Sequence, residues 1–141
     1  MANLGKIAVM GGGSWATALA KLLLQNCEKI LWYMRRDDRI ADFERNHCNP
    51  VYLSDVVFDT SRIEFSSDIN AVCEAADTLL LAMPSPYIKE HLKKISVDLS
   101  GKYMASAVKG IVPDENALVT AYMSDFYGIR PERQIVIGGP C

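Results

Sequence analysis

The order of apolar and polar residues along the chain predicts strands that alternate with helices. Short runs rich in β-branched and aromatic residues are each followed by a segment with apolar residues at helical spacing. The run "TLLLAM" at 78–83 is apolar throughout, which is typical of a strand covered on both faces. The alternation predicts an α/β fold with a doubly wound, mainly parallel sheet of the Rossmann type. The predicted strands lie at 6–10, 29–34, 62–65, 78–83, 102–108 and 134–139.

The helical segments show the same pattern with a different period. The first predicted helix runs from about Ser14 to Asn26, and the second begins near Asp37 or Asp38, either of which could cap its free amides. Apolar spacing predicts further helices around 67–76, 88–95 and 118–126. On the first helix, polar residues three or four apart predict one narrow polar stripe, formed by Thr17, Lys21, Gln25 and Glu28.

Composition limits the possible classes of protein. The 141 residues are 50% hydrophobic and 23% charged with a net charge of -2, which predicts one globular domain over 1–141 and no nucleic-acid partner. No apolar run approaches the roughly 20 residues of a membrane span, and the N-terminus lacks the order of a signal peptide. We therefore expect a cytoplasmic protein without membrane insertion. The four cysteines show no metal-binding spacing, so we expect no metal and reduced thiols at Cys27, Cys48, Cys73 and Cys141.

Three consecutive glycines separate the first predicted strand from the first predicted helix. Gly11, Gly13 and Ala16 fit the G-x-G-x-x-G/A fingerprint of dinucleotide-binding folds, with a strand before it and a helix after it. Gly11 permits the tight turn, Gly13 lets a pyrophosphate approach the backbone, and Ala16 keeps the helix close to the strand. The pattern predicts that the amides at the helix N-terminus face the pyrophosphate of a dinucleotide.

Two arginines follow the second predicted strand, where the choice between NAD and NADP is commonly made. Arg35 and Arg36 arrive before any carboxylate, and a guanidinium suits the extra phosphate of NADP. A solvated mixed-charge run would explain either arginine singly about as well. For the pair together we predict NADP(H) as the favoured cofactor, with NAD(H) possible.

Five short motifs, in order along the chain, resemble those of NAD(P)-dependent glycerol-3-phosphate dehydrogenases. The longest, "GGGSWATALA" at 11–20, resembles the signature G-x-G-S-W/Y-G/A-T-A-L-A of that family. The departures are Ala16 for Gly, Ser54 for Pro, Met83 for Val, and Cys141 where Ser or Thr is usual. The last puts a weaker hydrogen-bond donor at a contact position. The other four motifs are "NPVYLSD" (49–55), "MPSPY" (83–87), "VKGI" (108–111) and "GGPC" (138–141).

The resemblance implies an oxidoreductase that reduces dihydroxyacetone phosphate to sn-glycerol 3-phosphate with NAD(P)H, feeding glycerophospholipid synthesis. It implies cofactor contacts from Ser14, Trp15 and Arg35, with Arg36 beside it. Lys109 matches a lysine shared by cofactor and substrate. Gly139 and Cys141 match substrate-contacting positions. His47 and His91 match no such position, and we expect both to be surface residues.

The resemblance also implies a helical C-terminal domain that carries the proton-donor lysine, so no catalytic residue is assigned within 1–141. We expect this N-terminal domain alone to bind the dinucleotide weakly without useful turnover, and the full-length protein to be a homodimer. Two alternatives remain at this point. One is a stand-alone NAD(P)-sensing module, and the other is the N-terminal domain of a 6-phosphogluconate or hydroxyacid type of dehydrogenase.

Overall fold

A computed structural model describes residues 5–51, 53–83, 85–107, 111–112 and 117–136. The helices are α1 (Ser14–Leu23), α2 (Asp37–Asn46), α3 (Ile69–Ala75), α4 (Ser85–Leu92) and α5 (Val119–Tyr127), with short 3-10 helices at Thr60–Arg62 and Pro131–Arg133. The strands are β1 (Ile7–Met10), β2 (Ile30–Tyr33), β3 (Ile63–Ser66), β4 (Thr78–Leu81), β5 (Tyr103–Ser106), β6 (Ile111–Val112), β7 (Ala117–Leu118) and β8 (Gln134–Val136).

Six of the strands form one parallel sheet in the order β3-β2-β1-β4-β5-β8. The doubly wound parallel sheet predicted from the sequence is thereby confirmed. Strand β1 is central, and its Val9 pairs with Trp32 on one side and Leu80 on the other. The chain winds outward from β1 in one direction and from β4 in the other. This reversal opens a crevice beyond the carboxyl ends of β1 and β4, which is where such sheets bind ligands.

The core lies in two layers, one on each face of the sheet. Alternate residues of a strand point to opposite faces. Ala8 and Met10 therefore pack with helices α3, α4 and α5, whereas Val9 packs with α1 and α2. In β4, Leu79 and Leu81 join the first layer and Leu80 joins the second. Both faces are covered, which explains why "TLLLAM" shows no polar alternation.

An aromatic cluster supports the end of β2. Trp32 is fully buried, and its ring centroid lies 5.1 Å from that of Phe43, 5.8 Å from that of Phe58 and 5.5 Å from that of Phe65. These rings come from β2, α2, the following loop and β3. Edge-on and offset ring pairs at such distances add to the apolar burial. The cluster fixes where β2 ends and α2 begins.

The predicted polar stripe on the first helix is wrong at Thr17. Helix α1 ends at Leu23, three residues before the predicted end, and Thr17 is fully buried. Its hydroxyl donates to the carbonyl of Gly13 at 2.7 Å. A polar side chain that finds a partner within its own first turn can be buried, which periodicity alone does not show. Lys21 and Gln25 are exposed as predicted.

The predicted aspartate caps of the second helix are also wrong. The residue at the N-cap of α2 is Arg36, without a side-chain cap hydrogen bond, and both aspartates lie inside the first turn. Asp37 accepts a hydrogen bond from the hydroxyl of Ser67 at 2.6 Å, and Asp38 accepts from Arg36. Their charges still favour the helix, because they lie at the positive end of its dipole.

Three smaller differences concern the later elements. The short antiparallel pair β6–β7, in which Val112 pairs with Ala117, was not predicted. Leu118, expected on the last helix, belongs to β7, and Ile95 lies beyond the end of α4. Within the described part of the chain, no helix combines the length and the apolar content needed to cross a membrane.

Candidate dinucleotide site

A cavity of about 350 Å³ opens at the crevice between β1 and β4. Its floor is the glycine turn after β1, and its walls come from the end of β2, the first turn and interior of α2, and the ends of β4 and α4. The lining residues are Gly11, Gly12, Gly13, Tyr33, Met34, Arg35, Arg36, Arg39, Phe43, Asn49, Met83 and His91. The cavity therefore lies where the fold predicts a ligand.

All three carbonyl groups of the glycine turn accept hydrogen bonds from side chains. The donors come from β2, from the first turn of α1 and from the loop after α2. They are Trp32 Nε1 to Gly11 O at 2.6 Å, Thr17 Oγ1 to Gly13 O at 2.7 Å and Asn49 Nδ2 to Gly12 O at 3.1 Å. Because each carbonyl is held from the protein side, the orientation of the turn's peptide groups is fixed.

The amides of the glycine turn make fewer hydrogen bonds to the described residues than its carbonyls do. The amide of Gly11 donates to the carbonyl of Tyr33 at 3.1 Å. For the amides of Gly12, Gly13 and Ser14, no acceptor is found among the residues that the structure describes. Gly13 is the N-cap of α1, and the first turn of that helix contains no acidic residue. Free amides at the positive end of a helix form an anion-binding site.

Gly11 and Gly13 are glycines for different reasons. Gly11 has φ +132°, and a Cβ there would lie 2.8 Å from the carbonyl oxygen of Ala82, so the protein's own backbone excludes a side chain. Gly13 has φ -83°, which any residue adopts. A Cβ on Gly13 would meet nothing within 4 Å. Within the described chain, nothing requires Gly13 to be bare.

Asn49 supports the turn, a role that the sequence did not reveal. It is buried, and its Nδ2 donates to Thr17 Oγ1 at 3.0 Å as well as to the carbonyl of Gly12. Its Oδ1 accepts from the amide of Val51 at 3.2 Å. The available signal was the asparagine that opens "NPVYLSD", but the groups to which its Nδ2 donates lie more than 30 residues away. Ala16 is also fully buried, against the sheet, as its place in the fingerprint predicts.

Three arginines line the side of the cavity next to β2. Arg35 and Arg36, both predicted, are exposed, and Arg36 binds Asp38 through Nε at 3.0 Å and through Nη2 at 2.6 Å. This hydrogen bond and the opposite charge raise the pKa of Arg36 and lower that of Asp38. The third arginine, Arg39, is half-buried in the first turn of α2 and was not predicted. Its position, one helical turn after the pair, was the signal available in the sequence.

His91 is not the plain surface residue that the sequence predicted. It is half-buried in the cavity wall, with its Nδ1 3.4 Å from the hydroxyl of Tyr33 and the two rings edge-on at 6.1 Å. Burial lowers the pKa of His91, and the cations Lys94 and Arg35 lower it further. Burial raises the pKa of Tyr33. His47 is exposed as expected, with its Nδ1 3.1 Å from Thr60 Oγ1.

Ser14 and Trp15 lie beside the cavity, at the start of α1, rather than in its lining. Ser14 is exposed. Trp15 is half-buried against the α1 side of the core, and its Nε1 donates to the carbonyl of Ala107 at 3.2 Å, which ties α1 to the end of β5. The other predicted site residues, Lys109, Gly139 and Cys141, lie outside the described residues. No cluster of three metal-ligating side chains occurs in the described ranges.

Comparison with known proteins identifies the family. The family model described as NAD-dependent glycerol-3-phosphate dehydrogenase N-terminus matches residues 6–141. The chain belongs to this family. Among curated glycerol-3-phosphate dehydrogenases (NAD(P)+), that of Ectopseudomonas mendocina is 36% identical over 141 residues, which are 99% of this chain and 40% of the relative. That of Staphylococcus haemolyticus is 36% identical over 121 residues, covering 85% of this chain and 36% of the relative.

Solved glycerol-3-phosphate dehydrogenases share the fold. The enzyme of Coxiella burnetii superposes with a TM-score of 0.81 at 25% identity, covering 96% of this chain and 41% of that one. The Plasmodium falciparum enzyme superposes with a TM-score of 0.73 at 29% identity, covering 88% of this chain and 38% of that one. The chain spans about 40% of the length of the first curated relatives it matches. The family match favours this dehydrogenase over the 6-phosphogluconate or hydroxyacid alternative.

Proposed function

We propose that this chain binds a nicotinamide dinucleotide with its pyrophosphate against the amides of the glycine turn. The observation that carries the proposal is the bare Cα of Gly13, which faces open space and is not needed by the part of the fold that the structure describes. A glycine that the protein itself does not require is explained by a ligand that must come within contact distance of the backbone. The amides of Gly12, Gly13 and Ser14 would supply the hydrogen bonds.

The charge around the cavity supports the same ligand. Arg35, Arg36 and Arg39 concentrate positive charge beside the end of β2. In this fold the adenosine ribose lies next to that strand, and a 2′-phosphate there would meet guanidinium groups instead of a carboxylate. We therefore propose NADP(H) as the favoured cofactor, with NAD(H) as the possible alternative. Ser14 and Trp15 complete the proposed contacts at the start of α1.

For the complete protein we propose the reduction of dihydroxyacetone phosphate to sn-glycerol 3-phosphate, a step that feeds glycerophospholipid synthesis. The bound cofactor supplies the hydride. Lys109 is the proposed shared contact, since a cation near the carbonyl stabilises negative charge that develops on oxygen. Gly139 and Cys141 are the proposed substrate contacts. The support is the family match over residues 6–141. The proton donor is proposed to lie outside this chain.

The proposed setting is a cytoplasmic homodimer with small-molecule substrates and no nucleic-acid or membrane partner. Cys27, Cys48 and Cys73 carry free thiols, which fits a reducing compartment. A dehydrogenase of this kind needs both halves, because positioning the reactants and supplying a general acid are large contributions to the rate. We therefore propose that residues 1–141 alone bind the dinucleotide without turning over substrate.

Titration with NADPH and NADH, in which binding is monitored through the fluorescence of the nucleotide, tests the binding proposal. Saturable binding of either dinucleotide is the expected result, with an affinity that Gly13→Ala lowers tenfold or more while the unfolding midpoint stays within a few degrees. Absence of binding to either would refute it. The reaction is tested separately on the full-length protein by following oxidation of NADPH at 340 nm. Oxidation that starts only when dihydroxyacetone phosphate is added is expected, and a protein that binds NADPH but ignores this ketone would refute the proposed substrate.

A further inference from the structure

The three arginines of the cavity are not equivalent. Arg36 already has an anion, since its guanidinium holds both carboxylate oxygens of Asp38 in a two-point interaction. The side chains of both residues are more than half exposed, at 53% and 59%. To bind a phosphate, Arg36 would have to leave this carboxylate or share it. A guanidinium binds a phosphate through the same two parallel hydrogen bonds that it makes to a carboxylate. The carboxylate of Asp38 and a phosphate would therefore compete for Arg36.

Arg35 and Arg39 are free of such competition. Neither has a carboxylate within ion-pair distance among the residues that the structure describes. Arg39 is half-buried and lines the cavity. The charge of Arg35 reaches into the cavity, where it contributes to lowering the pKa of His91 and opposes the rise in the pKa of Tyr33.

We propose that Arg39 and Arg35 bind the 2′-phosphate that distinguishes NADPH from NADH, and that Asp38 withdraws Arg36 from this task. The inference rests on the proposed binding of a dinucleotide in this cavity. It departs from the sequence-based expectation, which paired Arg35 with Arg36. Arg39 is then a specificity-determining residue in the first turn of α2, and Asp38 limits the strength of the preference.

Single substitutions in the full-length protein test this assignment, with dissociation constants for NADPH and NADH measured at one fixed salt concentration. Arg39→Gln is expected to weaken NADPH at least tenfold and NADH less than twofold. Arg36→Gln is expected to weaken NADPH less than threefold. Asp38→Asn removes the competing carboxylate and is expected to tighten NADPH severalfold with NADH unchanged. The matched control is Arg45→Gln, which removes an exposed arginine paired with Asp42 at the other end of the same helix and should change neither constant.

The possible outcomes separate this proposal from the binding proposal. If the unsubstituted protein binds both dinucleotides equally well, no 2′-phosphate site exists, and the present assignment is wrong while dinucleotide binding stands. If Arg36→Gln costs more NADPH affinity than Arg39→Gln, or if Arg39→Gln weakens both dinucleotides equally, the assignment is also wrong. Binding of neither dinucleotide would overturn both proposals. Should Arg39→Gln fail to fold, Arg39→Lys keeps the charge but not the planar fork, and is expected to lose NADPH affinity to an intermediate degree.

Discussion

Gly11 and Gly13 offer a matched pair of substitutions with opposite expected effects. Alanine at Gly11 must adopt φ +132° and place its Cβ 2.8 Å from the carbonyl oxygen of Ala82. Backbone strain of roughly 1–3 kcal/mol and overpacking of roughly 1–3 kcal/mol together predict a loss of about 4 kcal/mol in the free energy of unfolding. For a chain of this length each kcal/mol shifts the midpoint by roughly 3 °C, so Tm should fall by about 12 °C.

Alanine at Gly13 meets neither obstacle, since φ is -83° and no atom of the residues that the structure describes lies within 4 Å of the added Cβ. A less flexible unfolded chain contributes about 0.4–1 kcal/mol of stability, and alanine is a poorer N-cap than glycine by a similar amount. Tm should therefore stay within about 3 °C of the unsubstituted value. Binding should suffer instead. A methyl group that keeps a phosphate off the amides removes at least one charge-assisted hydrogen bond of about 1.5–3 kcal/mol, so affinity falls tenfold or more.

Two measurements on each variant test these expectations: thermal unfolding without dinucleotide, and titration with NADPH. The reasoning predicts a stability defect for Gly11→Ala and a binding defect without a stability defect for Gly13→Ala. A Gly13→Ala protein that binds NADPH as tightly as the unsubstituted one would refute the placement of the pyrophosphate at this turn. A Gly13→Ala protein that unfolds 10 °C early would show instead that the fold needs this glycine.

Two further predictions concern Asn49, which supports the glycine turn, and His91, which lies in the cavity wall. Asn49→Ala leaves the half-buried carbonyl of Gly12 and the buried hydroxyl of Thr17 short of a donor, so urea unfolding should show a loss of about 2 kcal/mol in the free energy of unfolding. Asn46→Ala, at an exposed asparagine, should change stability by less than about 0.5 kcal/mol, and equal effects would contradict the role of Asn49. Burial and neighbouring cations lower the pKa of His91 in the folded state, so the unfolded chain binds more protons and stability should fall as the pH drops through about 6.5. His91→Gln should flatten the dependence of unfolding free energy on pH between about 7.5 and 5.5, and an unchanged slope would contradict this linkage.

The fold could be predicted because its signals are local. The run "TLLLAM" and the glycines after the first strand each consist of consecutive residues. The first indicates a buried strand and the second a turn, and a short segment is enough to show either. The predicted caps of α2 were wrong because the helix begins one residue too early for them: Arg36 is the N-cap, and Asp37 and Asp38 lie inside the first turn. Their carboxylates accept from Ser67 and Arg36 instead, and nothing local to the helix start reveals Ser67.

The site could be predicted only in part. Gly11, Gly13, Arg35 and Arg36 could be predicted as cavity-lining residues because the fingerprint and the end of β2 are sequence landmarks. Asn49 and His91 were missed because their partners, Gly12 and Tyr33, lie on other elements. Arg39 was missed because its spacing after Arg35 and Arg36 does not by itself place it in the cavity wall.

The side-chain hydrogen bonds to the three glycine carbonyls have a consequence for any attempt to move the motif. Trp32 and Asn49 lie 21 and 37 residues from the carbonyls they hold, and Trp32 is itself fixed by aromatic rings from three other segments. The segment "GGGSWATALA" carries only Thr17 of the three donors. Transplanted onto a foreign strand and helix, it would bring the flexible backbone without the two side-chain hydrogen bonds from Trp32 and Asn49 that help to fix the orientation of its peptide groups. A successful graft would have to include β2 and the loop after α2.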